Sequence, residues 1–242
     1  MMKILMKTTL LVSLLAIGLG TTFASTTDEL MLTVGGLTAT ITDNGGCAGT
    51  GCTLIFGDIN PLAGTTTVSG SIGGWNIDIV SGTSYSPSDV PVGLALESLT
   101  ATCIGGAANC ATHSLDVQYS DTNFSPANPA FITGYSLTGL SGSGTTSESA
   151  YYSNSNALFA ETALIGTVGP FTAVNSGSAT GGTGSAAPYS LTLDQVFTDT
   201  GTASLSFGAN GAISSVPEPG AVILFGTVLV FCASKLRRRR AS

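Results

Sequence analysis

Between Ser25 and Val216 the sequence contains no lysine and no arginine. All seven basic residues lie towards the two ends: Lys3, Lys7, Lys235, Arg237, Arg238, Arg239 and Arg240. Of the 14 acidic residues, 13 lie in the cation-free body and only Glu218 lies outside it. Phosphate backbones are held by Lys and Arg, so nucleic-acid binding is excluded. A Schiff-base lysine, an arginine clamp and a cross-strand Lys or Arg salt bridge are excluded with it. Divalent cations and neutral sugars remain as partners.

Other absences narrow the chemistry further. Histidine occurs once, at His113, and Asp116 follows three positions later. On a regular strand that odd step points the two side chains to opposite faces. No Gly-x-Ser-x-Gly elbow is present, so a serine hydrolase has neither its turn nor a local base. The cysteines lack the short paired spacing typical of zinc sites, and Cys110 to His113 is not a haem attachment sequence.

What is present reads as an exported β protein. Only 9% of residues are charged but 43% are apolar, enough for one core over the roughly 190 residues of the body. Apolar residues alternate with polar ones in LTATIT (Leu37–Thr42), WNIDIV (Trp75–Val80), LDVQY (Leu115–Tyr119), FITGYSL (Phe131–Leu137) and ASLSF (Ala203–Phe207). Period two places one face inside and one in solvent, as in antiparallel sheets. DNGG at 43–46, NPLAG at 60–64, the Gly-Gly of SIGGWNID and SGSG at 141–144 supply turns. Many short strands with such turns predict an all-β, antiparallel β-sandwich, jelly-roll-like or similar. Ala157–Gly166 reads equally as helix or strand, and 175–188 reads as a long loop.

Cys47 and Cys52 bracket one Gly-rich turn, and Cys103 and Cys110 another. Two local disulfides, each closing a hairpin loop, are expected, each worth roughly 2 kcal/mol for loops this small. Four cysteines nevertheless allow three pairings. Asp58, Asn60, Asp121 and Asn123 lie in turn-like sequences with hard oxygen ligands and are the calcium candidates. Capping of turns explains the same residues without a metal. Among the aromatics, Trp75 falls on the apolar parity of its strand. Tyr151 and Tyr152 are adjacent, so one of them should face outward.

The ends have their own logic. Lys3 and Lys7 precede an apolar run, and TTFAS follows it, the order of a secretory signal peptide cleaved after Ala24. At the other end, Gly220–Leu236 is a 17-residue, mostly apolar span without Asp or Glu, about 25 Å as a helix against a bilayer core of about 30 Å. Lys235 and Arg237, Arg238, Arg239 and Arg240 mark a cytoplasmic side and stop transfer. Just ahead, Pro217, Glu218 and Pro219 disfavour helix and hold the chain extended, as proteases bind substrates.

Pro-Glu-Pro, an apolar span and an Arg-rich end together resemble the PEP-CTERM sorting signal, and the Thr/Ser/Gly-rich body loosely resembles the domains found ahead of it. The resemblance implies an export route through the Sec translocon and signal peptidase, inner-membrane anchoring, and recognition and cleavage by an exosortase. It implies an exopolysaccharide-producing Gram-negative bacterium and final residence at the cell surface or in the extracellular matrix, with exopolysaccharide as a possible contact. The expected organisation is signal peptide 1–24, ectodomain 25–215 and sorting signal 216–242, with its transmembrane helix at 220–236. The expected role is structural or interactive, with no catalysis and no cofactor. A carbohydrate- or calcium-binding surface module is the alternative, and a secreted hydrolase using carboxylates is the second alternative.

Overall fold

A computed structural model describes residues 27–55, 57–85, 92–104, 114–125, 130–182, 186–200 and 205–216. The signal peptide, Cys110, His113 and the sorting signal from Pro217 onward fall outside these residues. Among the described residues there is no helix, and so none long and apolar enough to cross a membrane.

Among the described residues there are fourteen strands: β1 (Glu29–Val34), β2 (Leu37–Thr42), β3 (Cys47–Ala48), β4 (Leu54–Ile55), β5 (Thr65–Ile72), β6 (Trp75–Tyr85) and β7 (Gly93–Cys103), then β8 (Leu115–Phe124), β9 (Ala130–Ser141), β10 (Gly144–Ser153), β11 (Ala163–Phe171), β12 (Asn175–Gly181), β13 (Tyr189–Asp199) and β14 (Ser206–Val216). They form two antiparallel sheets. Sheet A runs β11-β10-β13-β8-β1-β2-β3 and sheet B runs β12-β9-β14-β7-β6-β5-β4. The expected sandwich is therefore present. From β7 onward the pairings read 7-14-9-12 in one sheet and 8-13-10-11 in the other, the strand order of two interleaved Greek keys. The first six strands widen both sheets on one side.

Where their side chains are described, the alternating segments follow their parity, except that Leu37 at the start of β2 is exposed. Trp75 and Ile77 are buried while Asp78 is exposed, and Leu115, Val117 and Tyr119 are all inside. Aromatic rings join the sheets across the core. Phe207 of sheet B lies 6.2 Å from Trp75 and 5.0 Å from Phe197 of sheet A. Phe131 of sheet B meets Tyr189 and Tyr152 of sheet A at 5.8 and 6.0 Å. Each such side chain contributes about 1.5–3 kcal/mol on burial. Gly73 and Gly74 take φ of 55° and 89°, the two left-handed positions of the tight turn expected between β5 and β6.

Two sequence expectations change and one open reading is settled. Ala157–Gly166, left open between helix and strand, is not a helix: Asn156 and Phe159 take left-handed φ of 52° and 55°, and the strand begins at Ala163. The stretch expected as a loop from Asn175 contains β12, paired with β9 in unbroken register. Cys47 and Cys52 are bonded as expected, yet their loop is no hairpin. It connects β3 of sheet A to β4 of sheet B. Cys103 is also disulfide-bonded, to a partner outside the described residues.

Candidate functional site

Two groups of polar residues stand out, one between the sheets and one on the outer face of sheet A. The buried group follows a rule: sheet A brings carboxyls and sheet B brings hydroxyls. Thr66 of β5 donates to Asp28, just ahead of β1, at 2.8 Å. Ser84 of β6 donates to Asp121 of β8. Thr133 of β9 donates to Glu148 of β10 at 2.9 Å. Tyr119 adds a second donor to Asp28 at 2.7 Å, and the Gln195 amide a second to Glu148 at 2.9 Å. The body has no Lys or Arg to pair with these carboxyls, and burial dominates the acidity of Asp28 and Glu148. It raises Asp28 to about 6 against the two hydrogen bonds, and Glu148 to about 8.

The outer face of sheet A carries the second group. Strand register assembles it: Ser149 of β10 stands opposite Asp194 of β13, and Asp194 opposite Gln118 of β8. Asp116, one same-face step along β8, hydrogen-bonds with Asp194. The segment 154–162 folds back over this face. Its Phe159 amide donates to Ser120 Oγ at 3.0 Å, and its Glu161 accepts from Gln118 Nε2 at 2.8 Å. That cover explains why β8 is buried on both faces from Val117 to Thr122.

Tyr151 lies on the same outer face, within electrostatic reach of Glu161, Asp194 and Asp116. Tyr152 points the other way and stacks on Phe131. One of the tyrosine pair faces outward, as the parity argument expected. Both aspartates are raised, first by burial, and Asp194 further by the Asp116 charge beside it. A hydrogen bond between two carboxyls requires one of them to hold a proton, which the raised pKa of each favours.

The calcium candidates are brought together only in part. Asp58 caps three backbone amides, those of Asn60 and Thr67 at 2.9 and 2.8 Å and that of Asn44 at 2.9 Å. Asn60 accepts from the Leu62 amide at 3.0 Å. These bonds tie the 43–46 turn to the 57–64 loop. Asp121 is buried and accepts from Thr27 Oγ1 at 2.6 Å and from the Thr122 amide at 2.7 Å. Asn123, at φ 65°, turns outward and exchanges two hydrogen bonds with Asn156, pinning the 154–162 segment. Among the described residues no three acidic, histidine or cysteine side chains are placed to hold a metal.

On the outer face of sheet B there is a shallow groove of about 320 Å³, lined among others by Glu97, Ser136, Ser176 and Asn210. Its one carboxyl has no second acid opposite it. Sequence reasoning missed Asp194, Glu161 and Glu148 as site residues. Glu148 alone had a readable signal, because it shares inward parity with Thr146, Ala150 and Tyr152 on its strand.

No known protein family and no curated protein matches the chain. Solved structures do. The adhesin domain of Epf from Streptococcus pyogenes is similar with a TM-score of 0.37 and 10% identity, over 80% of this chain and 60% of that one. The C-terminal CBM6 of LamC, a marine laminarinase from Zobellia galactanivorans, is similar with a TM-score of 0.23 and 12% identity, over 41% and 78%. A CBM61 module in complex with β-1,4-galactotriose is similar with a TM-score of 0.28 and 7% identity, over 62% and 85%.

Proposed function

We propose that the chain is an exported surface protein whose body is a non-catalytic interaction module for neutral saccharide, bound on the outer face of sheet A. The observation that supports this is the grouping of Tyr151, Asp116, Asp194 and Glu161 on one face of a body without a single Lys or Arg. A sugar ring presents apolar C–H edges that pack on a tyrosine and hydroxyls that pair with carboxyls. The proton held by Asp116 or Asp194 lets the pair both donate and accept. With no cation nearby, acidic polysaccharide is repelled, so selectivity favours neutral chains.

Delivery follows the sorting signal at the C-terminus. In this reading an exosortase acts near Pro217, Glu218 and Pro219 while the apolar span and arginines hold the site at the membrane. Release of the tail then leaves the body at the surface or in the matrix.

Titration calorimetry with neutral and acidic exopolysaccharides tests the binding. Tyr151→Ala is expected to weaken neutral-polymer binding by at least about tenfold, a loss of about 1.4 kcal/mol, without lowering Tm. Equal binding by the variant, or preference for the acidic polymer, would overturn the proposal. Intact mass of the protein from its host tests delivery separately: a chain ending near Pro217–Pro219 supports processing, and retention of Arg237–Arg240 refutes it.

A further inference from the structure

Charge is unevenly spread over the fold. From Thr122 to Ser147 and from Thr162 to Leu193 the sequence has no charged residue. These stretches supply β9, β11 and β12. β12 ends sheet B beside β9, and β11 ends sheet A beside β10. The two end strands lie against each other: a Cβ at Gly181 would stand 2.1 Å from the Ile165 carbonyl, and one at Gly166 2.5 Å from Ala179 Cβ. One side of the sandwich is therefore an uncharged edge on a polyanionic body.

That edge is open at β12. The strand is seven residues long and mostly exposed. Its inner row pairs with β9 from Asn175↔Leu137 to Gly181↔Phe131 without a register shift. Its outer row of N–H and C=O groups is hydrogen-bonded to no strand among the described residues, since β11 packs against β12 without joining its sheet. Proteins usually blunt such an edge with charge, proline, a bulge or shortness. The opposite ends of the sheets follow this habit, since β3 and β4 have two residues each. β11 carries Pro170 and two register shifts. β12 has none of these devices.

We propose that β12 pairs antiparallel with the β12 of a second copy of this chain, continuing sheet B across a twofold axis at Ser178. Charge selects this occupant. The body has 13 acidic residues and no lysine or arginine to answer them, so two copies repel wherever their carboxylates meet. The β12 edge brings none. Its side chains are small, and the pairing sets Ser176 of one copy opposite Thr180 of the other, with the unpaired backbone groups of both outer rows satisfied; the Ser176 N–H already donates to Asn175 Oδ1 at 2.9 Å. One strand pair buries less than the 1,200–2,000 Å² of a standard stable interface, so association depends on concentration. None of this depends on the saccharide reading.

Sedimentation of the full-length chain over a concentration series tests the proposal. The wild-type chain is expected to dimerise and Ser178→Asp to associate at least about tenfold more weakly, because the two carboxylates would face each other at the axis. Ser178 is exposed, so the variant should keep its Tm. Ser178→Cys should give a disulfide-linked dimer on mild oxidation, and Thr138→Cys, exposed on β9 away from the edge, should not. A wild-type chain that stays monomeric overturns the proposal. So does a Ser178→Asp chain that associates as strongly, which would place the contact elsewhere, for example in the apolar tail.

Discussion

Replacing Glu148 with glutamine should flatten the pH dependence of folding stability. Glu148 is fully buried on β10, and its two oxygens accept from Thr133 and Gln195. Burial lifts its pKa from 4.5 to about 8, more than those two bonds lower it. Tyr135 faces it from β9, and Asp194 lies within reach on the other side of its own sheet. The unfolded chain releases the proton near pH 4.5 and the folded chain near 8, so between these values the folded state holds one extra proton. Stability from this group is fully present below about pH 4.5 and is lost as pH rises through about 8. The slope is about 1.4 kcal/mol per pH unit, on the order of 5 kcal/mol in all. Asp28, raised from 3.8 to about 6, adds the same sign at lower pH, and raised Asp194 adds it too. Near pH 7 Asp28 has already ionised. Glu148→Gln should therefore remove about half of the remaining slope there and make the variant the more stable protein at about pH 8.5. Urea titrations from about pH 5 to 9 provide the assay, followed by the fluorescence of Trp75, the only tryptophan and fully buried. Wild-type stability that is flat or rises with pH would refute the reasoning. So would a glutamine variant that keeps the whole slope.

Gly211→Ala should destabilise the fold by about 2–3 kcal/mol, since its Cβ would lie 1.5 Å from Glu148 Oε2 and 2.4 Å from Gln195 Nε2. Denaturant midpoints measure the loss, and an unchanged midpoint would mean the carboxyl sits elsewhere. Asp58→Ala should cost about 1–3 kcal/mol by stranding the amides of Asn44, Asn60 and Thr67. Adding calcium to the wild type should leave its Tm unmoved, whereas a rise would return Asp58 and Asn60 to the role of metal ligands.

Parity is the property that local sequence carried most faithfully. WNIDIV placed Trp75 and Ile77 inside, LDVQY placed Leu115, Val117 and Tyr119 inside, and the adjacent tyrosines split between faces as adjacent strand residues must. The Gly73–Gly74 turn and the Cys47–Cys52 bond were legible for the same reason, because each needs only residues a few positions apart. β12 escaped because NSGSATG has no apolar alternation to read. It is a strand by virtue of its pairing with β9, and its smallness serves close approach to β11.

The sites show the same division. That the body would be an anion without any counter-charge was settled by composition alone. Which carboxyls would meet was not. Asp116 and Asp194 lie far apart in the chain and touch because β13 pairs with β8 in one register. Glu148 becomes a proton-holding group because β9 and β14 close over it. Where apolar and polar residues alternate, the sequence by itself determined which side chains point inward, since that depends on a backbone repeat of two residues. Strand order and register decided which side chains share a face or a core, because those contacts join residues that no local pattern relates.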